Sequence, residues 1–326
     1  MKAILCKKWG TPDDLVLEEI SSPTPKDHEV LISVKATGLN FPDVLMIAGK
    51  YQAKPPFPFI PCGEVSGIIK AVGKNITHLK EGMRVAALCG VGGLAEEVCV
   101  AATNVLPIPD DIDFNTAAAF MVVYGTAHVG LKHRAQLKKG ETLLVHGAGG
   151  GVGLAAIDIG KHMGAKIVAT ASSAEKLAMA QKYGADTLIN YIEEDFVEKV
   201  KIATNDKGAD VIFDPVGGDV FDKSLKILNW EGRLLIVGFA GGRIPEAPAN
   251  LLLLKNASLV GLFWGNYAVK NPTILVGSLV ELLKLMQEGH LKPLVSQVFP
   301  LEKSAEALKI IENRQAIGKI VVEVQP

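Results

Sequence analysis

The chain has no excess of charge of either sign: 34 Lys and Arg stand against 35 Asp and Glu in 326 residues, a formal net charge of −1. The lysines are scattered among acids, as on an ordinary solvated surface, so nucleic acid is not expected as a main partner. Cysteine is scarce as well. Cys6, Cys62, Cys89 and Cys99 are too few and too irregularly spaced for a disulfide framework, and no Cys-x-x-Cys pair occurs. Internal repeats and low-complexity segments are missing. The longest stretch without an ionised residue, Phe114 to Leu131, contains Asn115, Thr116, Tyr124, Thr126, His128 and two glycines. That is a poor match to the roughly 20 mostly apolar residues of a bilayer span, so it reads as a buried segment and no membrane partner is expected. Met1 to Lys8 alternates like a strand and has neither a long apolar leader nor a transit composition, which makes the cytoplasm the expected location.

What the chain does have is apolar material. At 48% hydrophobic residues and almost no net charge, it can repay its ordering entropy by burial, which excludes disorder. At about 100–200 residues per domain, the length allows two domains. Two textures meet near residue 125. Before it, short alternating or β-branched runs are punctuated by Pro and Gly: Met1–Lys7, Glu29–Ala36, Glu64–Val72, Arg84–Leu88 and Glu96–Val100. This predicts an irregular, mostly β domain. After it, apolar strands at Thr142–His146, Lys166–Thr170, Thr187–Asn190, Val211–Asp214, Arg233–Val237 and Ser258–Phe263 alternate with helices. The helices fall at about Gly151–Met163, Ser173–Tyr183, Asp195–Thr204 and Phe221–Leu228. Six strands with helical crossovers predict an α/β, doubly wound parallel sheet. A helix at Pro272–Gln287, a strand at Leu294–Phe299, a helix at Leu301–Asn313 and a strand at Gly318–Val324 return to the first texture. The expected layout is therefore residues 125–265 as a nucleotide domain inserted into a domain made of 1–124 and 266–326.

The run Leu143-Leu144-Val145-His146-Gly147-Ala148-Gly149-Gly150-Gly151-Val152-Gly153 carries a strand into a glycine-rich turn and straight into a small-residue helix. In that context the pattern Ala148-x-Gly150-x-x-Gly153 reads as a dinucleotide fingerprint with Ala in place of the first glycine. Gly150 would admit a pyrophosphate, Gly153 would let the helix pack on the strand, and the helix start, with Gly151 and Val152, would supply amide donors. NAD sites place an acid about 20 residues further on. Here the run is Ala171-Ser172-Ser173-Ala174-Glu175-Lys176. Small hydroxyls and a cation favour NADPH, because an acid would repel its 2′-phosphate. Ser172-x-x-Glu175 also reads as a capping box with Ser172 as N-cap. The turns Asp214-Pro215-Val216-Gly217-Gly218 and Val237-Gly238-Phe239-Ala240-Gly241-Gly242 follow strands, on the edge where such sheets bind ligands.

Together with Gly38-Leu39-Asn40-Phe41-Pro42-Asp43, Gly63-Glu64-Val65-Ser66-Gly67, Val72-Gly73, Tyr124-Gly125-Thr126-Ala127 and Asn190-Tyr191, these motifs cover the chain in order. The sequence resembles the medium-chain dehydrogenase/reductase superfamily, specifically its zinc-independent quinone oxidoreductase branch of the zeta-crystallin type. The resemblance implies a GroES-like catalytic domain with an inserted Rossmann domain, and reduction of quinones or α,β-unsaturated carbonyls by NADPH. Zinc-dependent relatives place Cys where Asn40 stands and a His-Glu pair at Gly63-Glu64, so no metal is expected here. Cys62, beside that position, reads as a small buried residue.

The resemblance further implies that Asn40 and Tyr51 line the substrate cleft, and that Lys176 and Tyr191 lie around the cofactor phosphate and adenosine. A tyrosine that some relatives carry six positions before Tyr51 is Leu45 here. Asp43 reads either as a residue that orients Asn40 or a water, or as an ordinary turn residue. The expected site is thus Asn40, Tyr51 and Asp43 for catalysis, with Thr126, Ala148, Gly150, Gly151, Val152, Gly153, Ser172, Ser173, Lys176, Tyr191, Val216, Gly238, Phe239 and Ala240 for the cofactor. Competing readings are a reductase of one specific enone or enoyl thioester, and a protein that binds NADPH or RNA without turnover. An apolar edge strand at Ser258–Phe263 must be covered, which predicts a homodimer.

Overall fold

The computed structural model describes residues 1–325. The chain divides into two compact units, one made of Met1–Val122 and the return from Pro293, the other of Val123–Lys292. The first unit begins with β1 (Lys2–Leu5), β2 (Val16–Glu19), β3 (Glu29–Gly38), helix α1 (Phe41–Ile47), β4 (Glu64–Val72), β5 (Arg84–Leu88), β6 (Glu97–Ala101), β7 (Val105–Pro107) and α2 (Phe114–Ala118). Helix α3 (Met121–His128) leads into the second unit. There β8 (Thr142–Val145), α4 (Gly151–His162), β9 (Lys166–Ala171), α5 (Ala174–Lys182), β10 (Thr187–Asn190), α6 (Phe196–Ala203), β11 (Ala209–Asp214), α7 (Gly218–Ser224), β12 (Leu228–Ile236), α8 (Ala249–Lys255) and β13 (Ser258–Gly261) follow one another. Short α9 (Tyr267–Lys270) and long α10 (Pro272–Gln287) close the second unit, and β14 (Val295–Pro300), α11 (Ser304–Glu312) and β15 (Lys319–Glu323) complete the first.

The second unit is the doubly wound sheet expected from the sequence: six strands in the order β10-β9-β8-β11-β12-β13, all parallel. The order steps outward one way from β8 and then the other way, so a switch point lies between β8 and β11, where such sheets bind ligands. Its strands are buried on both faces. Leu143, Leu144, Val145, Val211, Ile212, Phe213, Leu234 and Leu235 are all at 0% exposure, which is why their sequence reads as continuous apolar runs.

The return to the first unit falls at Pro293 rather than at 266. Helix α10 is held inside the second unit by side-chain bonds that texture alone does not reveal: His128 Nδ1 lies 2.7 Å from Ser278 Oγ, and Lys132 Nζ donates to Glu281 Oε2 at 2.7 Å. Other boundaries move as well, among them that of β12, which starts at Leu228 and not Arg233. Strand β13 ends at Gly261, two residues before the expected Phe263. Helix α7 starts at Gly218 and not Phe221, because Gly217 (φ 70°) and Gly218 (φ 55°) take left-handed backbone that turns the chain directly out of β11. Helix α5 is capped by Ser173, not Ser172: the Ser173 hydroxyl accepts from Lys176 N at 3.3 Å.

The first unit carries a seven-stranded sheet, six strands in the order β14-β15-β3-β4-β5-β7 and β6 off this path on β3. Strand β3 is shared along its length: Glu29–Ser33 pair with β6, while Ala36–Gly38 pair antiparallel with β15, so the C-terminal strand is built into the N-terminal sheet. Gly38 is needed there, since a Cβ would lie 1.9 Å from Ala118 O of α2.

Candidate functional site

In the second unit the glycine turn is built by three different requirements. Gly147 has φ 60°, a conformation that favours glycine. Ala148, next to it, is buried and donates its N–H to Thr170 O at 3.0 Å, so the position that usually carries the first glycine tolerates a methyl group. Gly153 is required by packing, because a Cβ would come 2.3 Å from Gly147 O. Gly150 is different: as N-cap of α4 it would place a Cβ no nearer than 3.5 Å to any atom, again Gly147 O. Nothing inside the protein demands glycine at 150, and the open space above it fits a ligand that approaches the backbone. Gly151 and Val152 are half-buried and open the helix, whose free N–H groups and positive dipole end suit a pyrophosphate.

Ser172, Ser173 and Lys176 sit at the end of β9 beside this turn. The Lys176 stem runs over Gly149, where a Cβ would meet Lys176 Cβ and Cγ at 2.6 Å. Burial holds its ammonium below the usual lysine value, with Glu175 acting the other way. Glu175 itself is exposed. Tyr191 and Val216 line one cavity of about 100 Å³ together with His146, Gly147 and Thr170. His146 is buried between Thr170 Oγ1 (2.9 Å) and Ser224 Oγ (2.8 Å), and burial pushes its pKa down to about 3, so it is a neutral structural group. The 214–218 and 237–242 turns are tied together. Asp214 Oδ1 accepts from Val216 N at 2.8 Å and Gly217 N at 3.0 Å, while Ala240 N donates to Pro215 O at 3.0 Å. Gly238, Phe239 and Ala240 thereby stand at the same sheet edge as Val216. Thr126 lies half-buried on α3.

In the first unit, Asn40 and Asp43 come together at the start of α1. Asn40 is the N-cap, and Asp43, in the third helical position, accepts Asn40 N–H on Oδ2 at 2.7 Å. This is the backward half of a capping box. Burial pushes Asp43 up to about 6 against the pull of that N–H and of Lys319. Tyr51 is half-buried against the core cluster that contains Val44 and Ile47 of α1, and burial raises its hydroxyl pKa, with the Asp43 charge adding to the shift. Cys62 is buried at φ 68°, its thiol pushed well up by burial and by Asp43.

Two groups that sequence patterns did not assign complete this cluster. Glu64, at 0% exposure, accepts from Asn40 Nδ2 at 2.9 Å and from Val122 N at 2.8 Å. Lys319 of β15 donates to Glu64 Oε2 at 3.0 Å, Asn40 Oδ1 at 2.7 Å and Leu39 O at 2.8 Å. Asn40 Nδ2 also reaches Gly38 O at 3.3 Å. Both hydrogens of the Asn40 amide are therefore engaged within the protein, by Gly38 O and Glu64 Oε2.

Family models match the chain as alcohol dehydrogenase GroES-like domain over residues 26–110 and as zinc-binding dehydrogenase over 151–279. With the parallel sheet and its glycine turn, these define a two-part oxidoreductase of the medium-chain dehydrogenase/reductase class. The chain is 42% identical over 328 residues to the quinone oxidoreductase-like protein 2 homolog of Nematostella vectensis, covering 99% of this chain and 89% of that protein. It is 35% identical over 325 residues to the quinone oxidoreductase of Homo sapiens, covering 99% and 97%. The structure of Escherichia coli quinone oxidoreductase complexed with NADPH matches with a TM-score of 0.93 at 30% identity, covering 99% of this chain and 100% of that one. The chain belongs to the quinone oxidoreductase branch of the medium-chain dehydrogenase/reductase superfamily.

The name of one matching model raises a zinc ion, and the surroundings of Glu64 do not fit one. Zinc takes lone pairs from Cys, His or carboxylate ligands. Around the Glu64 carboxylate stand an amide NH2, a backbone N–H and an ammonium, all hydrogen donors. Gly63 offers no ligand, and a side chain there would put its Cβ 2.6 Å from Gly90 O.

Proposed function

We propose that the protein is an NADPH-dependent, zinc-independent reductase of quinones or other activated C=C and carbonyl acceptors, working as a homodimer. The observation that supports this reading is the donor set around Glu64, whose carboxylate is occupied by an amide, a backbone N–H and an ammonium. A reductase of that kind needs an acceptor that is already electrophilic, and quinones and enones qualify because incoming charge spreads onto a carbonyl oxygen. Bound NADPH supplies the hydride.

The chain's own residues bind and orient. The α4 N-terminus with Gly150, Gly151, Val152 and Gly153 would take the pyrophosphate. Ser172, Ser173 and Lys176 would take the 2′-phosphate; capping uses a lone pair of the Ser173 oxygen and leaves its hydrogen free to donate. Tyr191 and Val216 would border the adenosine, with Thr126, Gly238, Phe239 and Ala240 as further cofactor contacts. On the acceptor side, Asn40 would shape the polar end of the pocket, held by Asp43. The Tyr51 hydroxyl would donate to the oxygen that gains charge, since its burial keeps the proton on. Leu45, half-buried on α1, makes the remaining wall apolar.

Stopped-flow oxidation of NADPH by 1,4-benzoquinone tests the reading. Tyr51→Phe is expected to lower kcat/KM by about 10–100-fold with NADPH affinity unchanged, the scale of one lost hydrogen-bond donor to a developing oxyanion. Asn40→Ala, which removes a side chain that shapes the pocket, is expected to lower turnover by about 10–100-fold. Wild-type rates in both variants, or robust oxidation of simple alcohols, would overturn it, and so would stoichiometric zinc in protein purified without chelator.

A further inference from the structure

Lys319 lies outside the glycine turn and outside every motif that stands out in the sequence. Among the described residues it is nonetheless the buried Lys or Arg, its side chain 4% exposed and paired with a Glu64 that is 0% exposed. The ammonium has three hydrogens and three acceptors: Leu39 O, Asn40 Oδ1 and Glu64 Oε2. Glu64 is equally filled, Oε2 by Lys319 and Asn40 Nδ2, Oε1 by Val122 N. Taking two full charges out of water is unfavourable, and well-packed apolar residues of similar volume are often at least as stable. Stability alone therefore does not account for the pair. What the pair does is fix one amide. Lys319 takes the Asn40 oxygen and Glu64 takes its nitrogen, so the side chain cannot flip, while Asp43 holds the same residue by its backbone N–H at 2.7 Å.

We infer that Lys319 is the internal cation of the first unit, a positioning residue whose ammonium neutralises Glu64 and locks Asn40 and the start of α1 for the acceptor. A metal ion has no room to do this. Lys319 Nζ already stands 3.0 Å from Glu64 Oε2 and 2.7 Å from Asn40 Oδ1, and like charges at such separations repel. The residue acts through Asn40 rather than on the substrate. The inference rests on the proposed reading that Asn40 and Tyr51 face the acceptor.

The test combines Lys319→Met with Glu64→Gln in the full-length protein. Lys319→Met alone leaves a buried carboxylate without its cation, so its Tm is expected well below that of the double variant, which carries neither charge. The double variant is expected to bind NADPH with the wild-type dissociation constant, because the glycine turn and Lys176 belong to the other unit. Its kcat/KM for 1,4-benzoquinone is expected to fall about 10–100-fold, mostly in kcat, as for a misplaced orienting group. In nitrogen-15 spectra the Asn40 side-chain amide should exchange slowly with water in the wild type and quickly in the double variant. Wild-type kcat/KM with an unchanged Asn40 amide would overturn the inference, and so would a Lys319→Met protein as stable as the double variant or an equal loss of NADPH affinity. Failure of the wider reading looks different: the wild type itself then fails to oxidise NADPH with quinones, while the stability order and the Asn40 amide still report on Lys319.

Discussion

Lys176 lays its aliphatic stem over Gly149, and burial holds its ammonium below the usual lysine pKa. An incoming phosphate would relieve that penalty. Lys176→Ala is therefore expected to weaken NADPH by about 1–2 kcal/mol, the scale of one charge-assisted hydrogen bond, and to leave NADH nearly unchanged. Fluorescence titration of both cofactors checks this, and equal losses would reject the phosphate role. Asp43 shows the opposite sign of the same physics. Burial raises its carboxyl from 3.8 to about 6, so the fold favours the protonated form. That contribution is fully present below about pH 4 and is lost as pH rises through about 6. Relative to Asp43→Asn, which cannot ionise, the wild type should lose about 2 kcal/mol of stability between pH 4 and pH 7. Urea unfolding of both proteins at both pH values measures it. Parallel behaviour would mean that Asp43 titrates normally.

The strand–turn–helix from β8 to α4 separates two uses of glycine. Gly153→Ala pushes a methyl group to 2.3 Å from Gly147 O, and is expected to destabilise the protein by about 1–3 kcal/mol, as overpacking does. Gly150→Ala meets nothing closer than 3.5 Å. Its stability should fall by less than about 1 kcal/mol, the price of a poorer cap, while NADPH affinity drops. Thermal melts and cofactor titration of the two variants should give opposite rankings. Elements of this kind were legible in the sequence because their signals are local: Thr187–Asn190, Glu64–Val72 and Arg84–Leu88 form strands with the expected bounds. Helix α1 was not expected, since seven residues with Pro42 near the start show too little periodicity to read. At α5 the sequence points one residue too early, because Ser172 and Ser173 are both good caps and Glu175 stands at capping-box distance from the first. Lys319 was invisible for a different reason. It meets Asn40 and Glu64 only through the pairing of β15 with β3, across 279 and 255 residues, and no local pattern records such a register.

At the scale of the whole molecule, β13 ends the six-stranded path with β12 as its neighbour. Leu254 (70% exposed), Phe263 (53%) and Val269 (77%) lie on segments that flank it in the chain. An edge strand with exposed apolar neighbours calls for cover, and a second copy of the same edge provides it with one self-complementary patch. Sedimentation equilibrium is expected to show a dimer at micromolar concentration, and Phe263→Lys is expected to weaken it while the protein stays folded. A wild-type monomer would reject the assembly. The unit completed by β15 also sets an order of events during synthesis. Glu64 leaves the ribosome 255 residues before the lysine that neutralises it, and Ala36–Gly38 of β3 wait equally long for their edge partner. The second unit, contiguous from Val123 to Lys292, has every strand it needs in the meantime. The nascent chain should therefore acquire a nucleotide-binding body first and hold this edge of β3 open until β15 has been made.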